Sequence, residues 1–267
     1  MIIIDVDTLL YRVGFSKPPS ASSAVTQLER YIQDIVYRVG QSDRVLVGTQ
    51  VMLCLTRSVP AGRYRAINYT RNIEYKGHRS TAAKPLFMDE MFDSIVSRDK
   101  GYYRYGYDVL IVNSDVGEAD DTCSILANET KNASTHTPYC VVGVDKDLDQ
   151  ISGWHFNYVT NKYYYVSEYE ADKFFFEQLL TGDVADNIPG IHRIGPKTAK
   201  KLLAHGKNAE EWWDIVLDTY LKTYNTVSSD SISETLYERG NMLWIRRKNG
   251  EEWYPPYPGY GENDAPF

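Results

Sequence analysis

Cysteine is scarce in this chain: three residues in 267, Cys54, Cys123 and Cys140, with no CxxC spacing. That excludes a zinc ribbon or a disulfide framework and points to a reducing compartment. Histidine is equally thin, five residues scattered without ligand spacing, so a histidine-built metal centre is excluded as well. No apolar run approaches the roughly 20 residues that cross a bilayer. The amino terminus enters a strand-like run rather than a cleavable signal. Internal repeats and long low-complexity linkers are also missing; only Pro255-Pro-Tyr-Pro-Gly-Tyr-Gly261 is too rich in proline and glycine for regular structure. The expectation is a soluble, cytoplasmic chain with no membrane partner.

Acids are present, and they are clustered. Glu118-Ala-Asp120-Asp121, Asp145-Lys-Asp147 and Asp183-Val-Ala-Asp186 supply seven carboxylates, and Asp5 ends the first hydrophobic run. Carboxylates a few ångströms apart raise one another's pKa, so they stay ionised only where cations or strong donors hold them. Hard oxygen ligands suit Mg²⁺, with Mn²⁺ as a substitute. A single acid such as Glu129 or Asp172 reads as a solvated face; the clusters differ because each follows an apolar run.

Those runs predict the fold. Met1 to Ile4, Val109 to Val112 and Tyr139 to Val144 are short and largely apolar throughout, as strands buried on both faces of a parallel sheet are. The second and third lead through acids into helix-like stretches, Asp120 to Lys131 and Lys146 to Ile151. Strand, polar loop and helix in alternation give an α/β fold, a central mainly parallel sheet flanked by helices, with ligands beyond the carboxyl ends of the strands. The acid clusters are therefore expected at one edge. The chain divides into a catalytic domain over 1–181, with a small arch near 80–107 whose helix is Phe87 to Val96, and a helical subdomain over 182–267. Ala209 to Tyr224 and Ser231 to Met242 read as helices, and Phe174-Phe-Phe176 and Trp212-Trp213 as core.

The net charge is −7, yet setting the eight acids aside as ligands leaves acids and bases nearly in balance, so the position of the bases matters more. From Thr56 to Arg79, Arg63, Arg65, Arg71, Lys76 and Arg79 interleave with Tyr64, Tyr69 and Tyr75. Cations on phosphates and aromatic faces on bases are the means of sequence-independent nucleic-acid binding. The second basic stretch, GDVADNIPGIHRIGPKTAKKLL from Gly182 to Leu203, has glycine-framed turns and a helix opened by Pro196 that carries Lys197, Thr198, Lys200 and Lys201. Gly190 and Gly195 permit close backbone approach, and the helix start favours an anion. This segment reads as a phosphate clamp, with His192 as a further phosphate contact.

The ordered set IIIDVDTLLYR, EYKGHR, EADD, GVDKDLDQI and GDVADNIPGIHRIGPKTAKKLL resembles the 5′ nuclease superfamily, in particular the stand-alone bacteriophage 5′-to-3′ exonucleases and flap endonucleases. The likeness runs from Met1 to about Leu203, with a weaker signal at Gly240 to Ile245. It implies a PIN-like 5′ nuclease fold with a helix-three-turn-helix. It also implies a nuclease, using two Mg²⁺ ions, that acts on 5′ ends and flaps of duplex DNA, and on RNA primers in RNA–DNA hybrids, as a monomer in phage replication within an infected host cell.

At matching positions the resemblance assigns Asp5, Glu118, Asp120 and Asp121 to one metal set and Asp145, Asp147, Asp183 and Asp186 to the other. Lys76 and Arg79 would neutralise the scissile phosphate, Tyr75 would stack on the terminal base, and Arg65 would contact DNA. Gly190 to Gly195 would hold K⁺. One departure stands out: the family's aspartate after the second strand has no counterpart, since no carboxylate lies between Asp43 and Glu74 and the region reads Leu55-Thr-Arg57-Ser58. A water or a neighbouring acid would replace it, leaving one metal more weakly held; the other reading is that a shift in alignment hides a substitute such as Asp7 or Asp43, of which Asp43 precedes the strand and fits poorly. Two alternatives stand beside the nuclease: a branch-binding protein with weakened nuclease activity, and a PIN-type ribonuclease.

Overall fold

The computed structural model describes residues 1–43, 50–56, 65, 73–77, 83–98, 102–104, 106–114, 117–133 and 137–256. The chain forms two compact units. One comprises Met1–Gly62, Ala83–Ser167 and Arg247–Asn249, the other Arg63–Ala82, Glu168–Arg246 and Gly250–Phe267. The break thus falls before the helix Glu168–Thr181 rather than after it, because that helix packs with the carboxyl-terminal helices, and the basic segment near Tyr75 also joins the second unit.

The first unit is built on a seven-stranded sheet. In chain order its strands are β1 (Ile2–Asp5), β2 (Gln50–Thr56), β3 (Tyr102–Arg104), β4 (Tyr107–Ser114), β5 (Cys140–Val142), β6 (Gly153–Asn157) and β7 (Lys162–Val166), and their order across the sheet is β3-β4-β2-β1-β5-β6-β7. The central pairs are parallel, and antiparallel strands β3 and β7 close the two edges. The expected mainly parallel α/β sheet is therefore present. β1 lies at its centre, and its period-two alternation feeds two cores: Ile2 and Ile4 on one face, Met1 and Ile3 on the other.

Helices α1 (Asp7–Phe15), α2 (Ala21–Gly40) and α3 (Met88–Val96) cover the first face. In α2 the Ser20 hydroxyl caps the Ser23 amide at 3.2 Å, and Ala24, Leu28, Ile32, Ile35 and Val39 recur at three- and four-residue steps to form one buried stripe. Helix α3, expected to build an arch, buries Met91 and Ile95 in this core and packs on α1 and α2; 80–82, 99–101 and 105 lie outside the described residues. Helix α4 (Ala119–Asn132) covers the opposite face with Cys123 and Ala127, joined by Leu148 of a short 3₁₀ helix, Lys146–Gln150.

The second unit is helical. α5 (Glu168–Thr181) leads into a two-stranded hairpin, β8 (Gly182–Asp183) with β9 (Ile188–Pro189), then α6 (Pro196–Leu203), α7 (Ala209–Thr223) and α8 (Ser229–Leu243). Phe175, Phe176, Trp212, Trp213 and Tyr220 form its core, each fully buried ring of this size contributing at least about 1.5–3 kcal/mol. Among the described residues no helix is long and apolar enough to cross a membrane.

Two glycines hold the hairpin onto α5. Gly182 adopts φ +67°, and a Cβ placed on Gly190 would lie 2.1 Å from the Thr181 carbonyl carbon, backbone that cannot swing aside. A Cβ on Gly195 would meet nothing within 4 Å. Gly190→Ala is therefore expected to destabilise the protein by about 3 kcal/mol or more, and Gly195→Ala by about 1 kcal/mol or less. Urea unfolding followed by tryptophan fluorescence measures both; equal losses would remove the special status given to Gly190.

Candidate active site and nucleic-acid interface

The first unit's acids gather where strands end. Asp5 closes β1 and is only 4% exposed. One of its oxygens accepts the Asp7 amide at 3.1 Å. Burial pushes its carboxyl well above the usual carboxylate range; the charges of Asp7, Asp120 and Asp145 push the same way, and the Asp7 amide opposes them. These four acids thus feel one another across β1, α1, α4 and the 3₁₀ turn. Desolvation and like charge together are what an ionised carboxylate tolerates only beside a cation.

The other expected ligands of this unit have local work as well. Glu118 and Asp121 form a reciprocal capping box at the start of α4, with Asp121 Oδ2 accepting the Glu118 amide at 3.2 Å. Asp120 accepts the Asp121 amide at 2.7 Å. Asp145 caps the 3₁₀ helix by accepting the Asp147 amide at 3.0 Å, and Asp147 pairs with Lys146 at 2.9 Å. Among the described residues no three His, Cys, Asp or Glu side chains close up into a ready ligand set. The donors nonetheless fit a hard divalent ion of the Mg²⁺ type, which keeps several waters and binds through one or two carboxylates rather than a complete protein cage.

The sequence reading gave Asp7 little weight, and Thr56 none. Asp7 Oδ1 accepts the Thr56 amide at 3.1 Å, and Thr56 Oγ1 accepts the Ala119 amide at 2.8 Å. The aspartate spacing Asp5-Val-Asp7 was the available signal. What it lacked was the knowledge that the first turn of α1 reaches the end of β2. Arg57, Ser58 and Arg79 lie outside the described residues.

In the second unit the expected residues sort into two groups. Asp183 is buried and turns one oxygen onto its own chain, accepting the amides of Ala185 at 2.7 Å and Asp186 at 3.3 Å. Asp186 accepts the Tyr75 hydroxyl at 3.2 Å and lies 3.7 Å from Lys76 Nζ, while its carbonyl accepts the Lys76 amide at 2.9 Å. Lys76 holds φ +55°, a strained conformation for a residue with a Cβ, secured by these bonds. Its ammonium also lies 4.8 Å from the centre of the Tyr75 ring.

Three expectations change here. Tyr75 is 7% exposed and sits in the second core, so its ring is not presented for stacking on a base. Arg65 is 4% exposed, with Nη2 donating to the Trp244 carbonyl at 3.2 Å and Nη1 to the Tyr75 hydroxyl at 3.5 Å. The reason is the same for both: a large side chain with one polar end gains by burying its body once that end finds a partner. A Cβ on Gly190 would meet backbone, so close packing on Thr181 and Gly182 by itself accounts for a glycine there.

The clamp helix behaves differently. α6 opens with Gly195 at its N-cap and Pro196 in its first turn, without a side-chain cap, and buries Ala199 and Leu203. Lys197, Thr198, Lys200, Lys201 and His192 are exposed. Beneath them burial raises the Glu177 carboxyl, an effect opposed by Lys200 and Lys173.

Comparison with known proteins adds to this geometry. No protein-family model matches the chain. The 5′-exonuclease of bacteriophage T5 with zinc bound superposes with a TM-score of 0.59 at 19% identity, over 91% of this chain and 88% of that one. The T5 flap endonuclease in complex with DNA and metal ions gives 0.57 at 19% identity, over 90% and 88%. At that identity the likeness is one of fold. In sequence the chain is similar to DNA polymerase I of Bacillus caldotenax, 27% identical over 188 residues, 66% of this chain and 20% of the polymerase. It is also similar to the flap endonuclease Xni of Shewanella oneidensis, 40% identical over 98 residues, 32% of this chain and 36% of that protein. The matches thus span well under half the length of these curated relatives. The chain thus shares the fold of the T5 5′-exonuclease and is similar in sequence to part of DNA polymerase I and part of the flap endonuclease Xni.

Proposed function

We propose that this chain is a divalent-metal-dependent phosphodiesterase that cleaves DNA at 5′ ends and flaps. The observation that carries the proposal is Asp5: a buried carboxylate at the carboxyl end of the central parallel strand, facing the charges of Asp7, Asp120 and Asp145. Such a charge has no purpose in a merely structural core, where an amide would fold at lower cost.

The reading assigns Mg²⁺ as the cation, two ions in the working enzyme, with Mn²⁺ as a substitute. Bound there, divalent ions supply Lewis-acid stabilisation of charge on phosphate oxygens and lower the pKa of an attacking water. The chain's own residues do the rest. Asp5, Asp120 and Asp145 hold the charge that fixes the ions. Lys76, restrained by Asp186, keeps an ammonium in one place, where it can neutralise a phosphate without reorganising. Lys197, Lys200 and Lys201 grip the sugar-phosphate backbone, and the uncapped start of α6 adds its amides. That grip reads no base, which suits substrates defined by structure rather than sequence. A K⁺ ion at the turns before α6, action on RNA primers and a place in phage replication belong to the same proposal.

A 5′-labelled flapped duplex incubated with Mg²⁺ tests it. Labelled flap or short 5′ products are expected. Tight binding without cleavage, unrescued by Mn²⁺, would favour a branch-binding protein, and preference for single-stranded RNA would favour a PIN-type ribonuclease.

Two sets of variants separate the roles. Asp120→Asn or Asp145→Asn is expected to reduce cleavage by roughly a hundredfold or more while leaving DNA affinity equal or higher, since a repulsive charge is lost. Lys200→Ala with Lys201→Ala is expected to weaken binding to every sequence and to flatten the salt dependence by about 2 in log–log slope. Fluorescence anisotropy across a salt series measures the second effect. Equal loss of binding in both sets would contradict the division of labour.

A further inference from the structure

This inference rests on the proposed backbone grip of α6 and concerns what sets its strength. α5 and α6 pack against each other, and α6 turns Ala199 and Leu203 inward. Lys200, next to Ala199, points the other way, with its side chain 68% exposed. On α5 the run Phe175-Phe-Glu-Gln-Leu-Leu180 is buried throughout, and one member of that run, Glu177, is an acid. Its Oε2 lies 4.0 Å from Lys200 Nζ, and its side chain is 12% exposed.

That distance is too long for a hydrogen bond, so the acid faces the ammonium without fixing its direction. Its effect is one of charge. Burial pushes the Glu177 carboxyl above its ordinary value, and the push is opposed by Lys200 and by Lys173, one turn back on α5. α7, α8 and β8 also pack on α5; among the described residues the two lysines are the charges that act on Glu177. A tie between the helices does not explain the arrangement. An ion pair whose cation is mostly in water is screened and adds little, and glutamine would fill the same space without a desolvated charge. What the acid does change is the neighbourhood of an exposed cation. A phosphate that reaches Lys200 meets a second anion beneath the same ammonium, where little water screens it.

We propose that Glu177 competes with the nucleic-acid backbone for Lys200, weakening the grip of α6 so that the surface releases a phosphate backbone as well as binding it. A phosphate at Lys200 draws the ammonium from the acid and adds a negative charge nearby, which pushes the carboxyl further up. Binding therefore takes up protons at Glu177, and affinity falls as pH rises through the range of that carboxyl. Fluorescence anisotropy of the full chain with a labelled flapped duplex, in the absence of divalent cations so that nothing is cleaved, tests this. Near neutral pH Glu177→Gln is expected to bind about threefold or more tightly than the unsubstituted chain, and the advantage should shrink as pH falls. His192 and His205 are present in both chains, so the difference between the two pH profiles belongs to Glu177. In a Lys200→Ala background the same substitution should give little gain, since no ammonium is left to compete for. Glu177→Gln should melt at the same temperature as the unsubstituted chain or higher at neutral pH, a desolvated charge having been removed. If Glu177→Gln bound the duplex equally or more weakly, or if its gain persisted undiminished without Lys200, the inference would fall alone. An unsubstituted chain that bound no flapped duplex would overturn the backbone grip and this inference with it.

Discussion

One carboxylate at the end of the central strand governs the first unit. β1 is covered on both faces, by α1, α2 and α3 on one side and α4 on the other, so the residue that ends it inherits a dry environment. Placing Asp5 there costs stability in the absence of a counter-charge, and the like charges of Asp7, Asp120 and Asp145 increase that cost. Neutral groups, the amides of Asp7, Asp121 and Asp147, fix the direction of Asp5, Asp120 and Asp145. Acids held in fixed directions are ready for a cation without reorganising.

The second unit depends on backbone proximity instead of charge. Gly182 and Gly190 bring the β8–β9 hairpin against the end of α5, and this contact sets where the chain turns before α6. Ala199 and Leu203 then dock α6 on the aromatic core and leave its lysines outward. Asp186, at the same hairpin, fixes Tyr75 and Lys76. The hairpin therefore controls two cationic features at once, and its glycines are structural in a direct sense.

Much of this was legible in the sequence. Apolar runs ending in acids gave the parallel strands and placed Asp5, Asp120 and Asp145 at strand or helix ends, because strand period and helix caps are local properties. Phe174-Phe-Phe176 and Trp212-Trp213 read as core for the same reason, and all but the half-buried Phe174 are buried there. What escaped was everything decided by a distant partner. Tyr75 and Arg65 looked like nucleic-acid contacts because their spacing is basic and aromatic; only Asp186 and the Trp244 carbonyl, more than a hundred positions away, turn them inward. Gly190 has a packing reason that the sequence did not reveal, the approach of the Thr181 backbone. The edge strands β3 and β7 lack the uniform apolar character that betrays a buried strand, so the sheet is wider than the runs alone suggest.

The formal charge of −7 also takes on a different meaning once the acids have positions. A nucleic acid approaching the surface responds to charges within a Debye length, about 8 Å at physiological salt. Exposed lysines on α6 act at that range. Asp5, Asp121, Asp183 and Asp186 are buried, and in the proposed function bound cations offset the acids of the first unit. A chain can therefore be acidic in total and cationic where a phosphate meets it. Net charge fails as a guide here for a physical reason: it counts desolvated ligand groups and solvated contact groups alike, although the first act on ions and the second on backbone phosphates.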